Sequence, residues 1–303
     1  MPTLRTIPAI RILLTGSTGQ VGFELLSRLK SLGEVFALPR LELDLSREDS
    51  IRAAVRSHQP HLIVNAAAYT AVDRAESDLD PAMQVNGTAP GILAEEARRH
   101  RAILVHYSTD YVFDGLKNSP YVETDTTAPI NQYGKSKLAG EEKIMRAGGA
   151  YFILRTSWVY APRGSNFLLK MLQLGSERES LRVVNDQICS PTSASVVANA
   201  TMAVLQRCGE FEQARLLSGI YHASCGGQTS WFDFARAIFE EVRELRMPGL
   251  KVREVVPISS NEFPSSCQRP LYSVLSCEKI AQTFSFRPPN WQDELPQVIR
   301  EVP

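Results

Sequence analysis

Tyr133 and Lys137 stand four residues apart in "NQYGKSKLAGEEKI", a stretch that reads as helical. That spacing puts a phenol and an ammonium on one helical face. A free phenol ionises near pH ~10 and is a poor acid at neutrality. A cation held close favours the phenolate and lowers that value. Such a pair could deliver a proton to a substrate and recover it. In an isolated Tyr-x-x-x-Lys the commoner meaning is a packed tyrosine and a solvated lysine, so the remaining chemistry decides.

A second group of residues lies near the start. "TGSTGQVG" carries Gly16, Gly19 and Gly22 directly after an apolar run and at the opening of a helical pattern. Glycines allow a tight turn and close approach of backbone to a pyrophosphate, and the helix N-terminus adds unpaired N–H groups. The strand–turn–helix context that gives this pattern meaning is present. At the end of the next strand, where an acid would bond an NAD ribose, the chain has Pro39 and Arg40. An arginine fork suits the additional phosphate of NADP, so NADPH is expected, with NADH as the alternative. Asp44 follows, where a carboxylate can accept from an adenine amino group.

These residues need a scaffold. The 303 residues suffice for one large α/β domain or two smaller ones, and 44% are hydrophobic. Formal net charge is zero, which argues against nucleic acid or an anionic membrane as partner. The five cysteines are odd in number and form no C-x-x-C, against a disulfide framework or a structural zinc. The first residues lack the apolar segment of a signal peptide, and no run approaches a membrane span. A cytoplasmic protein is expected.

"IRILLTG", "EVFALP", "HLIVNAAA", "AILVHYST" and "AYFILRTSWVY" read as strands buried on both faces. Helical patterns separate them: "VGFELLSRLKSLG" with Gly33 as its stop, "SREDSIRAAVRSH" opening on capping residues, "PAMQVNGTAPGILAEEARRH", and the Tyr133 stretch. The alternation predicts an α/β fold with a doubly wound parallel sheet, a Rossmann fold. Residues 1–160 are assigned to it. Residues 161–303, richer in loop residues, are read as a smaller C-terminal α/β substrate-binding domain, with about 183–208 returning to the first.

The glycine turn, "NAAAYT", "HYSTDYVFDG" and "YGKSK", in this order, resemble the extended short-chain dehydrogenase/reductases. "RTSWVY", "VNDQICSPTSA", "YHASCGGQTSWFDFA" and "RPLYSVLSCEKI" narrow the resemblance to the branch that reduces a dTDP-linked 4-keto sugar at the end of dTDP-L-rhamnose synthesis. The resemblance covers nearly the whole chain. It implies Tyr133 as proton donor, Lys137 as its partner and holder of the nicotinamide ribose, and Thr109 as the hydroxyl of the triad. Gly19, Gln20 and Val21 would lie along the cofactor, Asp44 and Leu45 beside the adenine, and Ala66, Ala67 and Ala68 beside the ribose. Tyr107 would close the nicotinamide side. Thr109, Asp110 and Trp158 would meet the dTDP-sugar substrate. Hydride would pass from NADPH to the ketone.

Several of these residues have ordinary readings too. The alanines can be small for packing, Trp158 can be core, and Asn65 and Asn86 can bond backbone between strands and helix. Arg269 can hold a pyrophosphate or pair with a carboxylate on a lid. His222 reads as a buried, satisfied histidine. Some members of the branch dimerise through Mg²⁺ held by glutamates. Glu24 fits one ligand position, but Ser193 and Ser195 stand near where another acid is expected, which argues against a metal. Monomer and homodimer both stay open. Two rival functions stay open as well: an NAD-dependent nucleotide-sugar epimerase, and a non-catalytic NADP-binding regulatory subunit.

Overall fold

The computed structural model describes residues 10–303. The leading segment, read above as lacking an apolar leader, lies outside them. The first half alternates as the sequence requires: β1 (Ile10–Thr15), α1 (Gln20–Leu29), β2 (Gly33–Ala37), α2 (Glu48–His58), β3 (Leu62–Asn65), the short α3 (Val72–Ala75) and α4 (Leu79–Ala82), α5 (Ala89–His100), β4 (Ile103–Thr109), α6 (Gln132–Ala147) and β5 (Ala150–Thr156). A π-helical turn, Met83–Thr88, joins α4 to α5. There follow β6 (Val159–Tyr160), α7 (Phe167–Glu177), β7 (Ser180–Val184), β8 (Ile188–Cys189), β9 (Thr192–Ser193), α8 (Ala194–Cys208), α9 (Phe211–Leu216), β10 (Gly219–His222), β11 (Thr229–Ser230), α10 (Trp231–Glu244), β12 (Glu254–Ile258), α11 (Glu278–Phe284) and α12 (Trp291–Arg300).

Six strands form one sheet in the order β2-β1-β3-β4-β5-β10, and every neighbouring pair is parallel. Strands β3 and β4 are buried along their whole length, as covering by helices on both faces demands. Alternate residues of β1 show the two faces. Ile12 and Leu14 pack with Leu25, Leu29 and Val197 of α1 and α8, whereas Leu13 packs with Ile51, Val55, Leu93 and Ile144 of α2, α5 and α6. The chain runs outward from β1 to β2 and then crosses back to β3. The order reverses there, so a crevice opens at the carboxyl ends of β1 and β3.

Several local readings need correction. Gly33 does not stop α1, which ends at Leu29, but begins β2. Arg47 holds the cap position of α2 without a side-chain bond; the nearby Ser46 hydroxyl donates instead to Asp44. "AYFILRTSWVY" is broken after Thr156, because Trp158 adopts φ 43°, a left-handed conformation that no strand residue can hold. The later chain gives α8 to the face of the sheet and β10 to its edge. Helices α9 and α11 also pack on the sheet side, while α7, β7, α10 and α12 build a second core around Phe234, Phe239, Trp291 and Leu295. β7 pairs there with β12.

Candidate active site

The glycine turn connects β1 to α1 at the reversal of strand order. Gly16 has φ +66°, and a Cβ there would sit 2.6 Å from the Ala67 nitrogen. A side chain on Gly22 would run into the Gly16 carbonyl. The turn therefore lies flat against the end of β3, as glycine alone permits. Gly19 caps α1 with no side-chain bond to its first N–H groups, so they are free for an anion. These features fit the diphosphate of a dinucleotide. Gln20 opens α1, and its Oε1 accepts from Asn166 at the start of α7, while Val21 packs on the sheet.

Arg40 is exposed in the loop after β2. Asp44 accepts from the Ser46 amide and hydroxyl at 2.9 and 2.7 Å. Those bonds, aided by the nearby Arg40, hold its carboxyl below the usual range. Leu45 is buried beneath it. Ala66 packs toward one face of the sheet and Ala67 toward the other, with Ala68 next along the loop.

Tyr133 and Lys137 share α6, which Asn131 caps by accepting from the Gly134 N–H at 2.8 Å. Lys137 is buried. Its ammonium donates to the Tyr107 carbonyl and lies 3.4 Å from His106 Nε2. Burial lowers its pKa to about 8, against the opposing pull of Glu141. The Tyr133 phenol is pushed upward instead, by burial and then by the Asp110 charge, while the adjacent Thr109 hydroxyl pulls it down. Lys137 thus does not activate the phenol in this state: it is turned to the strand, and the phenol keeps its proton. The Tyr107 hydroxyl points away from both, bonded to Thr201 of α8 at 2.7 Å.

Thr109 ends β4. Its hydroxyl donates to Asp110 Oδ1 at 3.0 Å and accepts from the Tyr111 N–H. The second Asp110 oxygen accepts from Ser273 at 2.6 Å and from the Cys189 thiol. Asp110 is buried, and burial raises its pKa to about 6 despite these donors. Both its oxygens are engaged within the protein. Ser273 and Cys189 come from distant segments, and no local pattern announces them.

The second unit carries a cavity of about 860 Å³ lined by Phe167, Gln187, Trp231, Phe263 and Arg269 among others. That volume suits a ligand larger than a single sugar. The Trp158 ring stacks on Trp231 at 3.4 Å, nearly parallel. Arg269 pairs with Asp73 at 2.8 Å and donates to Ser265 at 2.6 Å. This is the carboxylate-pairing alternative, although the carboxylate belongs to α3 and not to a lid. Asn86 bonds both backbone groups of Tyr69, as expected. Asn65 does not bond backbone; it joins Thr15 to His106. His222 is buried, and its Nδ1 lies 3.2 Å from the Ser276 carbonyl.

Glu24 does not fit a metal ligand. One carboxylate oxygen takes Arg28 and the other takes Arg163, each at 2.8 Å, and Arg28 also reaches Ser195. Guanidiniums occupy the space a cation would need. Among the described residues no cluster of three metal-ligating side chains occurs.

A sequence profile for the RmlD substrate binding domain matches residues 10–303. The chain is 45% identical to the dTDP-4-dehydrorhamnose reductase of Burkholderia thailandensis over 297 residues, 97% of this chain and 99% of that one. The chain belongs to the dTDP-4-dehydrorhamnose reductase family. The reductase of Escherichia coli K12 is 40% identical over 97% of this chain and 98% of its own. The crystal structure of the reductase of that name from Bacillus anthracis, in complex with NADP, superposes with a TM-score of 0.88 at 35% identity, covering 97% of this chain and 99% of that one. Membership in this reductase family and the Rossmann architecture agree with what the sequence motifs imply. No helix among the described residues is long and apolar enough to cross a membrane.

Proposed function

We propose that the chain reduces dTDP-4-dehydro-β-L-rhamnose to dTDP-β-L-rhamnose with NADPH, the last step of dTDP-L-rhamnose synthesis. The observation that carries this reading is the Tyr133 phenol against Thr109 at the end of β4, with Lys137 one turn along α6, in a chain of this reductase family. The turn and the bare N-terminus of α1 suit the cofactor's diphosphate, and Arg40 its 2′-phosphate. NADPH, when bound, supplies the hydride.

The protein's part is to position the ketone and hold protons. Tyr133 keeps its phenolic proton in its partly buried setting and gives it to the oxygen that gains charge during reduction. Thr109 bonds the same oxygen, exchanging its present partner Asp110 for the substrate. The Lys137 ammonium compensates the phenolate left behind. A positioned acid of this kind contributes ~10²–10⁴-fold. The Trp158–Trp231 stack offers a flat apolar wall, and Arg269 a cation for the substrate diphosphate. Asp110 acts more as a clasp on Ser273 than as a free acceptor for a sugar hydroxyl.

Five unpaired cysteines and a nucleotide cofactor support a cytoplasmic setting. Light scattering decides between monomer and homodimer. The function is tested with a panel of dTDP-, UDP- and GDP-linked 4-keto sugars, NADPH and chromatography of products. Stoichiometric NADPH loss with the dTDP-linked ketone is expected. Faster turnover of a UDP or GDP ketone overturns the assignment, and interconversion of sugars without NADPH loss makes the chain an epimerase. Partner binding without reduction makes it a regulatory subunit.

A further inference from the structure

Three polar side chains stand abreast in the middle of the sheet. Strand register sets Thr15 beside Asn65 and Asn65 beside His106. Each follows by two residues an apolar side chain (Leu13, Ile63, Leu104) that packs toward α5 and α6, so all three face that layer. All three are buried. The Thr15 hydroxyl donates to Asn65 Oδ1 at 2.6 Å, Asn65 Nδ2 lies 3.0 Å from His106 Nδ1, and His106 Nε2 lies 3.4 Å from Lys137 Nζ. At the other end Thr15 Oγ1 accepts from the Ala67 N–H at 3.2 Å. The row thus runs from the wall of the glycine turn to the lysine.

With the Asn65 amide set so that its oxygen faces Thr15, the hydrogens follow from the partners. The Ala67 N–H occupies a lone pair of Thr15, and the Thr15 hydrogen goes to Asn65 Oδ1. The Asn65 NH₂ group then faces His106 Nδ1, which must accept. The ring's own hydrogen sits on Nε2 and points at Lys137. Burial keeps the ring neutral. An N–H aimed at an ammonium in a low-dielectric interior opposes its charge. It also leaves the Tyr107 carbonyl as the anchor that sets the ammonium's direction.

We propose that His106 is a positioning residue for Lys137: the Thr15–Asn65–His106 row aims the ammonium and weakens its hold on the proton. The inference rests on the reductase reading of the site. The other groups acting there are Glu141, one turn along α6, which favours the charge and is itself bound by Arg155 of β5 through two bonds. Tyr133 lies a turn earlier on the same helix, under the influence of Asp110.

The test uses the full chain with ¹⁵N-labelled histidine and two variants. The His106 ring, assigned by its loss in His106→Phe, is expected to be neutral with hydrogen on Nε2 between about pH 6 and 9. His106→Phe keeps a ring but removes the N–H. Its kcat at pH 7 is expected to fall about tenfold to a hundredfold, the scale of a misplaced group at a reacting site. The pKa of its alkaline limb should rise, with the NADPH dissociation constant little changed. His106→Gln can place an amide N–H where Nε2 was and should recover most of the loss. An unaltered limb in His106→Phe, equal losses in both variants, or a ring bearing hydrogen on Nδ1 overturns the proposal. If His106→Phe does not fold, Thr15→Val removes the hydrogen two links away, and an unchanged limb there overturns it equally. If the unaltered chain reduces no dTDP-linked ketone, the functional reading fails, while the ring spectrum still decides the role of His106.

Discussion

Lys137 and Tyr133 share a helix face but not a partner: the ammonium bonds the Tyr107 carbonyl, while the phenol lies against Thr109 at the strand end. Acid and cation are therefore separate, and burial holds the proton on the phenol at neutral pH. That is the state a proton donor needs before reaction. In the proposed reaction the coupling expected from spacing alone comes only once charge develops on Tyr133.

Tyr133→Phe keeps the ring and deletes the proton. Turnover with the dTDP-linked ketone is expected to fall by the ~10²–10⁴-fold of a positioned acid, with NADPH affinity nearly unchanged. Stopped-flow turnover and fluorescence titration of NADPH check the two halves. More than about a tenth of the original rate would remove Tyr133 from its role.

Arg40 stands exposed near Asp44, with no acid at the end of β2. Arg40→Ala is expected to lower the preference for NADPH over NADH roughly tenfold, the scale of one bond to a charged phosphate. Steady-state kinetics with both cofactors measure it. Equal selectivity in the two proteins would mean another residue reads the phosphate.

Asp110 has a folded pKa of about 6 against an ordinary 3.8. The folded chain holds its proton where the unfolded chain has lost it. Its contribution to stability is thus fully present below about pH 4 and lost as pH rises through 6. The loss amounts to about 3 kcal/mol for a shift near two units. Asp110→Asn should gain stability relative to the parent between pH 4 and pH 8. Urea unfolding of both proteins at the two pH values measures it; a constant difference would contradict the burial argument.

The pairing of Glu24 with Arg28 and Arg163 leaves no ligand oxygen for a cation. EDTA is expected to leave both the melting temperature and the turnover unchanged, and added Mg²⁺ to change neither. Loss of activity in EDTA with recovery in Mg²⁺ would show that the guanidiniums move aside.

The parallel sheet was legible because its strands are short apolar runs with helical patterns between them, and the glycine turn was legible from its place after the first. What escaped depended on partners far along the chain. Gly33 opens β2 because it packs against Ile10, which no helix-stop rule contains. Trp158 breaks a strand with its left-handed backbone, and its ring stacks on Trp231, more than seventy residues away. Asp110 looked free for a ligand because Ser273 and Cys189, which bond one of its oxygens, belong to remote segments. Asn65 and His106 sit in quoted strings, yet only strand register sets them side by side.

The Arg269–Asp73 bridge has a consequence for how anions are told apart. An arginine loose in water surrenders about 2 kcal/mol of rotamer freedom when it is finally held. Arg269 has surrendered much of that to Asp73 and Ser265 before any ligand arrives. If Arg269 receives the substrate diphosphate as proposed, binding there is an exchange of one anion for another, not a capture. A ligand with a single carboxylate offers the guanidinium nothing it lacks. A diphosphate, whose several oxygens outnumber those of Asp73, is the kind of anion that makes the exchange favourable, so on that reading the resident aspartate would be a threshold against small acids.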